Sequence, residues 1–101
     1  MKKIKTLSKK IRGELEDAKS YALLALEEKD PDKSLSDSYR QLAEKELDDA
    51  NKLHAQGVRI INDYRASGHE APVPMQAVWN WEHENMIEET TRIRLLLQEL
   101  R

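Results

Sequence analysis

Apolar residues recur at steps of three and four along a stretch of 33 residues without proline, Leu35 to Ser67. This spacing stacks side chains on one face of a helix. The stretch therefore predicts one long helix, roughly 50 Å in length at about 1.5 Å per residue. Two acids, Glu46 and Asp49, fall where a strict heptad would place apolar residues. Acidic groups beside an apolar seam are the first candidate for a functional feature.

Similar patterns precede and follow this stretch and predict two further helices. The three helices are expected over about 6–29, 32–67 and 75–100. Asp30-Pro31 ends the first helix because the residue before proline is disfavoured in the α region. Asp30 can also cap the second helix, with Ser34 or Ser36 as alternative starts. Gly68 suits the left-handed end of the second helix, and Pro74 suits the first turn of the third.

Short connections make successive helices antiparallel neighbours. The sequence therefore predicts an all-α, up-down-up antiparallel three-helix bundle, a single domain over 1–101 with a long central helix. Ala, Glu, Lys, Leu and Arg make up half of the chain, which is typical of long or coiled helices, and Phe is absent. Trp79 and Trp81 are expected to lie together near Ile60, Ile61 and Tyr64, as an aromatic cluster in the core or at a subunit contact.

Charge and composition exclude several classes of function. The net charge of -2 gives no reason to expect nucleic acid as a partner. The first twelve residues carry six lysines and arginines and no acid, but no aromatic residue is interleaved to stack bases. No apolar run approaches the roughly 18 residues that a membrane span needs. Without cysteine there is no thiolate or disulfide chemistry. We expect a soluble, cytoplasmic protein without a membrane partner.

An acidic layer is the first candidate for a site. Pairing the helices about their connections places Glu14 and Glu16 level with Glu46 and Asp49, and Glu89 of the third helix can join them. Carboxylates that converge in a bundle repel unless they are protonated, paired with cations or bridged by a metal. The alternative interpretation is that they are solvated flank residues with partners four positions away, such as Lys45 for Asp49.

Two matching quartets are the second candidate. Asn51 and His54 lie three residues apart on the second helix, and Asn80 and His83 do so on the third, each pair on one helical face. Imidazole is a good ligand for transition metals, and Glu82 could supply a carboxylate. A histidine beside a core is also commonly a hydrogen-bonded structural residue, so both interpretations stay open.

The acids and histidines at mid-bundle resemble the ferritin-like and rubrerythrin-like bundles, in which two helices give a Glu each and two give Glu-x-x-His. The stretch Leu42 to Ala50 is similar to the second helix of that family, with Glu46 in the Glu position, and Glu16 matches the first-helix Glu. Asp49 stands where the family has His. The chain also resembles small proteins encoded in phage and prophage genomes of Gram-positive bacteria, a resemblance that implies no particular function. The ferritin-like resemblance implies a divalent transition metal, iron or zinc.

Two functions from different classes follow from the sequence. The first is a structural or interaction module, not an enzyme, that self-associates as a dimer or higher oligomer or binds a partner helix through its long amphipathic faces. Leu95 beside Leu96 and Leu97 gives the third helix more apolar residues than one seam needs. The second is a ferritin-like metal-binding bundle. Its predicted ligands are Glu16, Glu46, Asp49, His54 and His83.

Overall fold

The computed structural model describes residues 2–68 and 71–100, and within these ranges it contains three α-helices and no strand. They are α1 (Lys2–Glu28), α2 (Lys33–Ala66) and α3 (Val73–Gln98). The helices pack side by side into a rod of 57 × 19 × 17 Å. The predicted all-α three-helix bundle is confirmed.

The starts of α1 and α2 differ from the expected ones. α1 begins at Lys2 rather than near Thr6, because Ile4 is fully buried and extends the apolar face by one turn. Asp30 lies in the turn between α1 and α2, and Asp32 is the N-cap instead. The Asp32 side chain accepts a hydrogen bond of 3.1 Å from the backbone N–H of Leu35, which satisfies a donor that the first helical turn leaves unpaired.

The α2–α3 connection follows the expected chemistry on its described residues. Gly68 has φ +86°, the left-handed conformation that closes a helix at little cost for glycine. α3 starts two residues before the predicted position, at Val73, and Pro74 occupies its first turn. The sequence between them includes His69 and Glu70, which lie outside the described residues.

α1 and α2 meet along small side chains. Five alanines of this interface have no solvent exposure, so the two backbones can approach closely: Ala18, Ala22, Ala25, Ala43 and Ala50. Near the turn, the Ser36 hydroxyl donates a buried hydrogen bond of 2.6 Å to the Ala25 carbonyl. This bond joins the start of α2 to the end of α1.

α3 lies against α1 and approaches the α2 backbone at fewer places. Large side chains fill the remaining space, and the Trp79 ring lies directly on Gly57, where any Cβ would collide with it. Two polar contacts hold the ends of the helix. Lys29 Nζ donates to the Glu99 carbonyl (2.7 Å), and the Arg65 guanidinium donates to Gln76 (3.2 Å).

The expected cluster of both tryptophans is wrong. Trp79 is buried at 6% exposure, whereas Trp81 is 52% exposed on the side of α3 that faces the N-terminal half of α1. Residues two positions apart, such as Trp79 and Trp81, point about 200° apart around a helix. Only one of these two rings can therefore face the core.

Candidate functional site

Three carboxylates converge at the middle of the α1–α2 interface. One oxygen from each of Glu14, Asp17 and Glu46 lies within 4.8 Å of the others. Glu14 and Asp17 are three residues apart and therefore share one face of α1, opposite Glu46 of α2. Glu14 and Glu46 are half-buried and Asp17 is exposed. In the described part of the chain, no ion pair within 4.0 Å involves any of the three. Carboxylate oxygens are ligands for divalent cations, so the geometry of this group fits one.

The five predicted ligands are spread over four places. Glu46 belongs to the carboxylate group, but Glu16 is exposed and borders a cavity between α1 and α3 together with Glu89. Asp49 forms an ion pair of 3.2 Å with Lys45, as the alternative interpretation of the sequence expected. The separation of Glu16 from Glu46 follows from helix geometry, since Glu14 and Glu16 diverge by about 200° around α1. Asp17, which the sequence analysis did not single out, takes the place expected of Glu16.

The two predicted histidines form a direct pair. His54 Nε2 lies 2.9 Å from His83 Nδ1, a hydrogen bond in which one ring donates and the other accepts according to tautomer. The His54 ring also stacks on Trp79, with ring centroids 5.0 Å apart. Burial, and secondarily the neighbouring His83, lowers the pKa of His54. The lowered pKa favours the neutral form of the His54 ring, and the hydrogen bond makes the pair a bridge between α2 and α3.

Among the described residues, one group of three candidate metal ligands occurs, and it consists of Glu14, Asp17 and Glu46. The histidine pair therefore has no carboxylate in the described part of the chain placed to complete a metal site with it. A cavity of about 300 Å³ beside the pair is lined by residues that include Asn51 and Met86. Thr90 borders the same cavity, and its hydroxyl is buried with no hydrogen-bond partner among the described residues. The arrangement is typical of a structural polar contact with room for water.

Among the described residues, Glu82 belongs to no group of three candidate metal ligands. Its side chain has no solvent exposure, and neither carboxylate oxygen has a hydrogen-bond partner among the described residues. Burial raises the pKa of Glu82 to about 7, against an opposing effect of the nearby Arg12 guanidinium. A protonated carboxyl is the form that such an apolar setting favours. The sequence pointed to Glu82 as a possible carboxylate ligand, but it did not reveal that the side chain is buried without a partner in the described part of the chain.

A groove of about 980 Å³ lies between the N-terminal halves of α1 and α3. Its rim carries the cationic side chains Lys2, Lys5, Lys9 and Arg12 of α1, and α3 contributes Ala77, Val78 and Trp81. The Arg12 guanidinium lies over the Trp81 ring, 5.2 Å from its centroid. The basic segment therefore does have an aromatic neighbour, supplied from α3. Spacing along α1 alone could not reveal it.

Comparisons with protein-family models, curated proteins and solved structures find no match to this chain. Among the described residues, no helix is long and apolar enough to cross a membrane.

Proposed function

We propose that this chain is a helical interaction module that associates with a second copy through the outward face of α3. The observation that carries the proposal is the distribution of exposed apolar side chains. In the described ranges, the four large apolar residues that are more than half exposed all lie on α3: Val73 at 82%, Trp81 at 52%, Ile87 at 55% and Leu95 at 57%. Large apolar groups collected on one element are typical of a surface that another protein covers.

The same helix has the least regular apolar pattern of the three, because its outward positions alternate between apolar and charged residues. Glu84, Glu88 and Thr91 are exposed between the apolar side chains. A charged rim around apolar contacts is the usual composition of an interface that forms between folded proteins. The remaining exposed leucines are Leu23 on α1, at 44% exposure, and Leu35 and Leu42 on α2, at 38% and 40%.

Sedimentation equilibrium over a wide concentration range tests the proposal. The wild-type chain is expected to form a dimer or higher oligomer, and Leu95→Glu is expected to shift it to monomer, because a charge then replaces an apolar contact. Leu23→Glu is the matched control, with the same chemical change at an exposed leucine away from α3. Circular dichroism checks that both variants stay helical. A wild-type chain that is monomeric at every concentration would overturn the proposal.

Metal binding is the second candidate function, in the manner of the ferritin-like bundles. It is favoured by the convergence of Glu14, Asp17 and Glu46 within 4.8 Å, a geometry in which one cation offsets the repulsion of three acids. Protein purified without chelator is expected to hold Fe²⁺ or Zn²⁺, or to melt at a higher temperature when either is added. Glu46→Gln removes the effect and Asp49→Asn preserves it. No bound metal and unchanged melting would reject this function.

A further inference from the structure

The exposed apolar residues of α3 are arranged symmetrically about Glu84. Val73 and Leu95 lie eleven residues before and after it, and Trp81 and Ile87 lie three residues before and after it. Eleven residues are about three helical turns, so Val73, Glu84 and Leu95 share one face. A two-fold axis that crosses α3 at Glu84 would therefore bring Val73 level with the partner's Leu95, and Trp81 level with the partner's Ile87.

Charge is distributed unequally along the rod. One end is formed by residues 2–13, 52–68 and 71–83, and its nine lysines and arginines face only two acids, Asp63 and Glu82. The other end, residues 14–51 and 84–100, has sixteen acids and seven basic residues. Two such rods attract when they lie antiparallel, since each basic end then meets an acidic end. A parallel pair would place like charges together along its whole length.

We infer that α3 is an antiparallel self-association site, in which a second copy crosses at Glu84 and sets its acidic half against the cationic groove. The inference rests on the proposed function and specifies its partner and register. In this register, the partner's Glu88 lies level with Asn80, on the side of α3 that carries Trp81. The carboxylate is then attracted by the positive charges of Lys9 and Arg12 in the groove. The Trp81 ring and the Arg12 guanidinium on it are then covered by the second helix.

The axis has one unfavourable contact. Glu84 is exposed and would face the partner's Glu84, and two charges about 4 Å apart in a water-like medium repel by about 1 kcal/mol. Glu84→Gln is therefore expected to tighten the dimer roughly fivefold, the factor that corresponds to 1 kcal/mol.

Adding salt is expected to weaken the wild-type dimer, because it screens the attraction between the basic and acidic ends.

Cysteine cross-linking tests the register directly, because the native chain contains no cysteine. Glu84→Cys alone is expected to form a disulfide-linked dimer on mild oxidation. Ala77→Cys alone and Thr91→Cys alone are not, since an antiparallel pair separates each residue from its own copy by about 21 Å along the axis. An equal mixture of the two variants is expected to cross-link, because residue 77 lies level with residue 91 of the second copy.

Sedimentation of the reduced variants separates the two proposals. If they are monomers, the proposed function fails together with the register. If they are dimers but Ala77→Cys cross-links alone, the pair is parallel, and the inference is overturned while self-association stands. A dimer in which neither Glu84→Cys nor the mixture cross-links also overturns it, because a surface other than this face of α3 then forms the contact.

Discussion

The interface between α1 and α2 and the packing of α3 are built from different kinds of residue. α1 meets α2 through fully buried alanines, such as Ala22 and Ala43, and through the hydrogen bond from Ser36 to the Ala25 carbonyl. α3 packs through the large side chains of Trp79 and Met86. It also carries the fully buried Glu82 and the exposed Trp81. The α1–α2 contact is built mainly from small side chains, whereas α3 is packed through large side chains with buried polar groups among them.

The difference indicates which part of the molecule is fixed and which part is available for function. Close packing of alanines leaves no space for alternative side-chain arrangements, so the α1–α2 pair forms the rigid part of the bundle. The buried polar atoms without a partner among the described residues, those of Glu82 and Thr90, all lie on α3. Natural proteins tolerate such costs chiefly at functional sites. Single substitutions can test how much the attachment of α3 depends on individual residues.

The largest effect is expected from Trp79. Trp79→Ala should destabilise the fold by about 3–5 kcal/mol, because a buried ring is lost and the space on Gly57 and His54 is left empty. Urea denaturation followed by circular dichroism measures the change in the free energy of unfolding.

Trp81→Ala is the matched control, since the same side chain is removed two residues away on the exposed face. Its loss should cost about 1 kcal/mol or less at concentrations where the chain is monomeric, mostly the contact with Arg12. Equal losses for the two variants would show that the outward ring supports the fold as much as the buried one, contrary to the structure.

The next effect concerns the pH dependence that Glu82 gives to stability. Its pKa is about 7 in the folded chain, against an ordinary value of 4.5. Between these values the folded state holds a proton that the unfolded state has released. The free energy of unfolding therefore falls as the pH rises from about 4.5 to about 7, by about 3 kcal/mol in total.

Glu82→Gln removes this titration, so its stability should lack that decline and exceed the wild-type stability at pH 8. His54 acts in the opposite direction, because its lowered pKa makes the folded state lose stability as the pH falls below 6.5. That contribution is common to both proteins and cancels in their difference. Glu84→Gln, an exposed neighbour, should retain the wild-type slope. If Glu82→Gln has the wild-type slope as well, the buried carboxyl is not the titrating group.

The architecture could be predicted because it depends on short-range signals. The repeat of apolar residues fixed three helices, and short connections fixed their antiparallel order, as the convergence of Glu14 and Glu46 shows. The N-cap of α2 was predicted at Asp30 but is Asp32. Both residues have a suitable side chain, and only the geometry of the turn distinguishes them.

The polar sites could be predicted only in part, because they depend on how helices face one another. The sequence pattern did not decide which acids of α1 face α2. Glu14 and Asp17 do so, whereas the predicted ligand Glu16 points elsewhere. The contact between His54 and His83 depends on how α3 is oriented about its own axis, and the sequence pattern does not specify that orientation. The cationic groove likewise combines residues from two helices about 70 positions apart in the chain, such as Arg12 and Trp81.

The smallest effect compares two glycines within helices. Gly13→Ala should stabilise the chain by about 1 kcal/mol, because alanine is the better helix former and a Cβ there meets nothing within 4 Å. At Gly57 the same gain is opposed by collision with the Trp79 ring, and overpacking costs about 1–3 kcal/mol, so Gly57→Ala should be neutral or destabilising by up to about 2 kcal/mol. Thermal and urea denaturation of both variants measure the difference. If Gly57→Ala stabilises as much as Gly13→Ala, the Trp79 ring moves aside freely, and the attachment of α3 does not depend on its contact with Gly57.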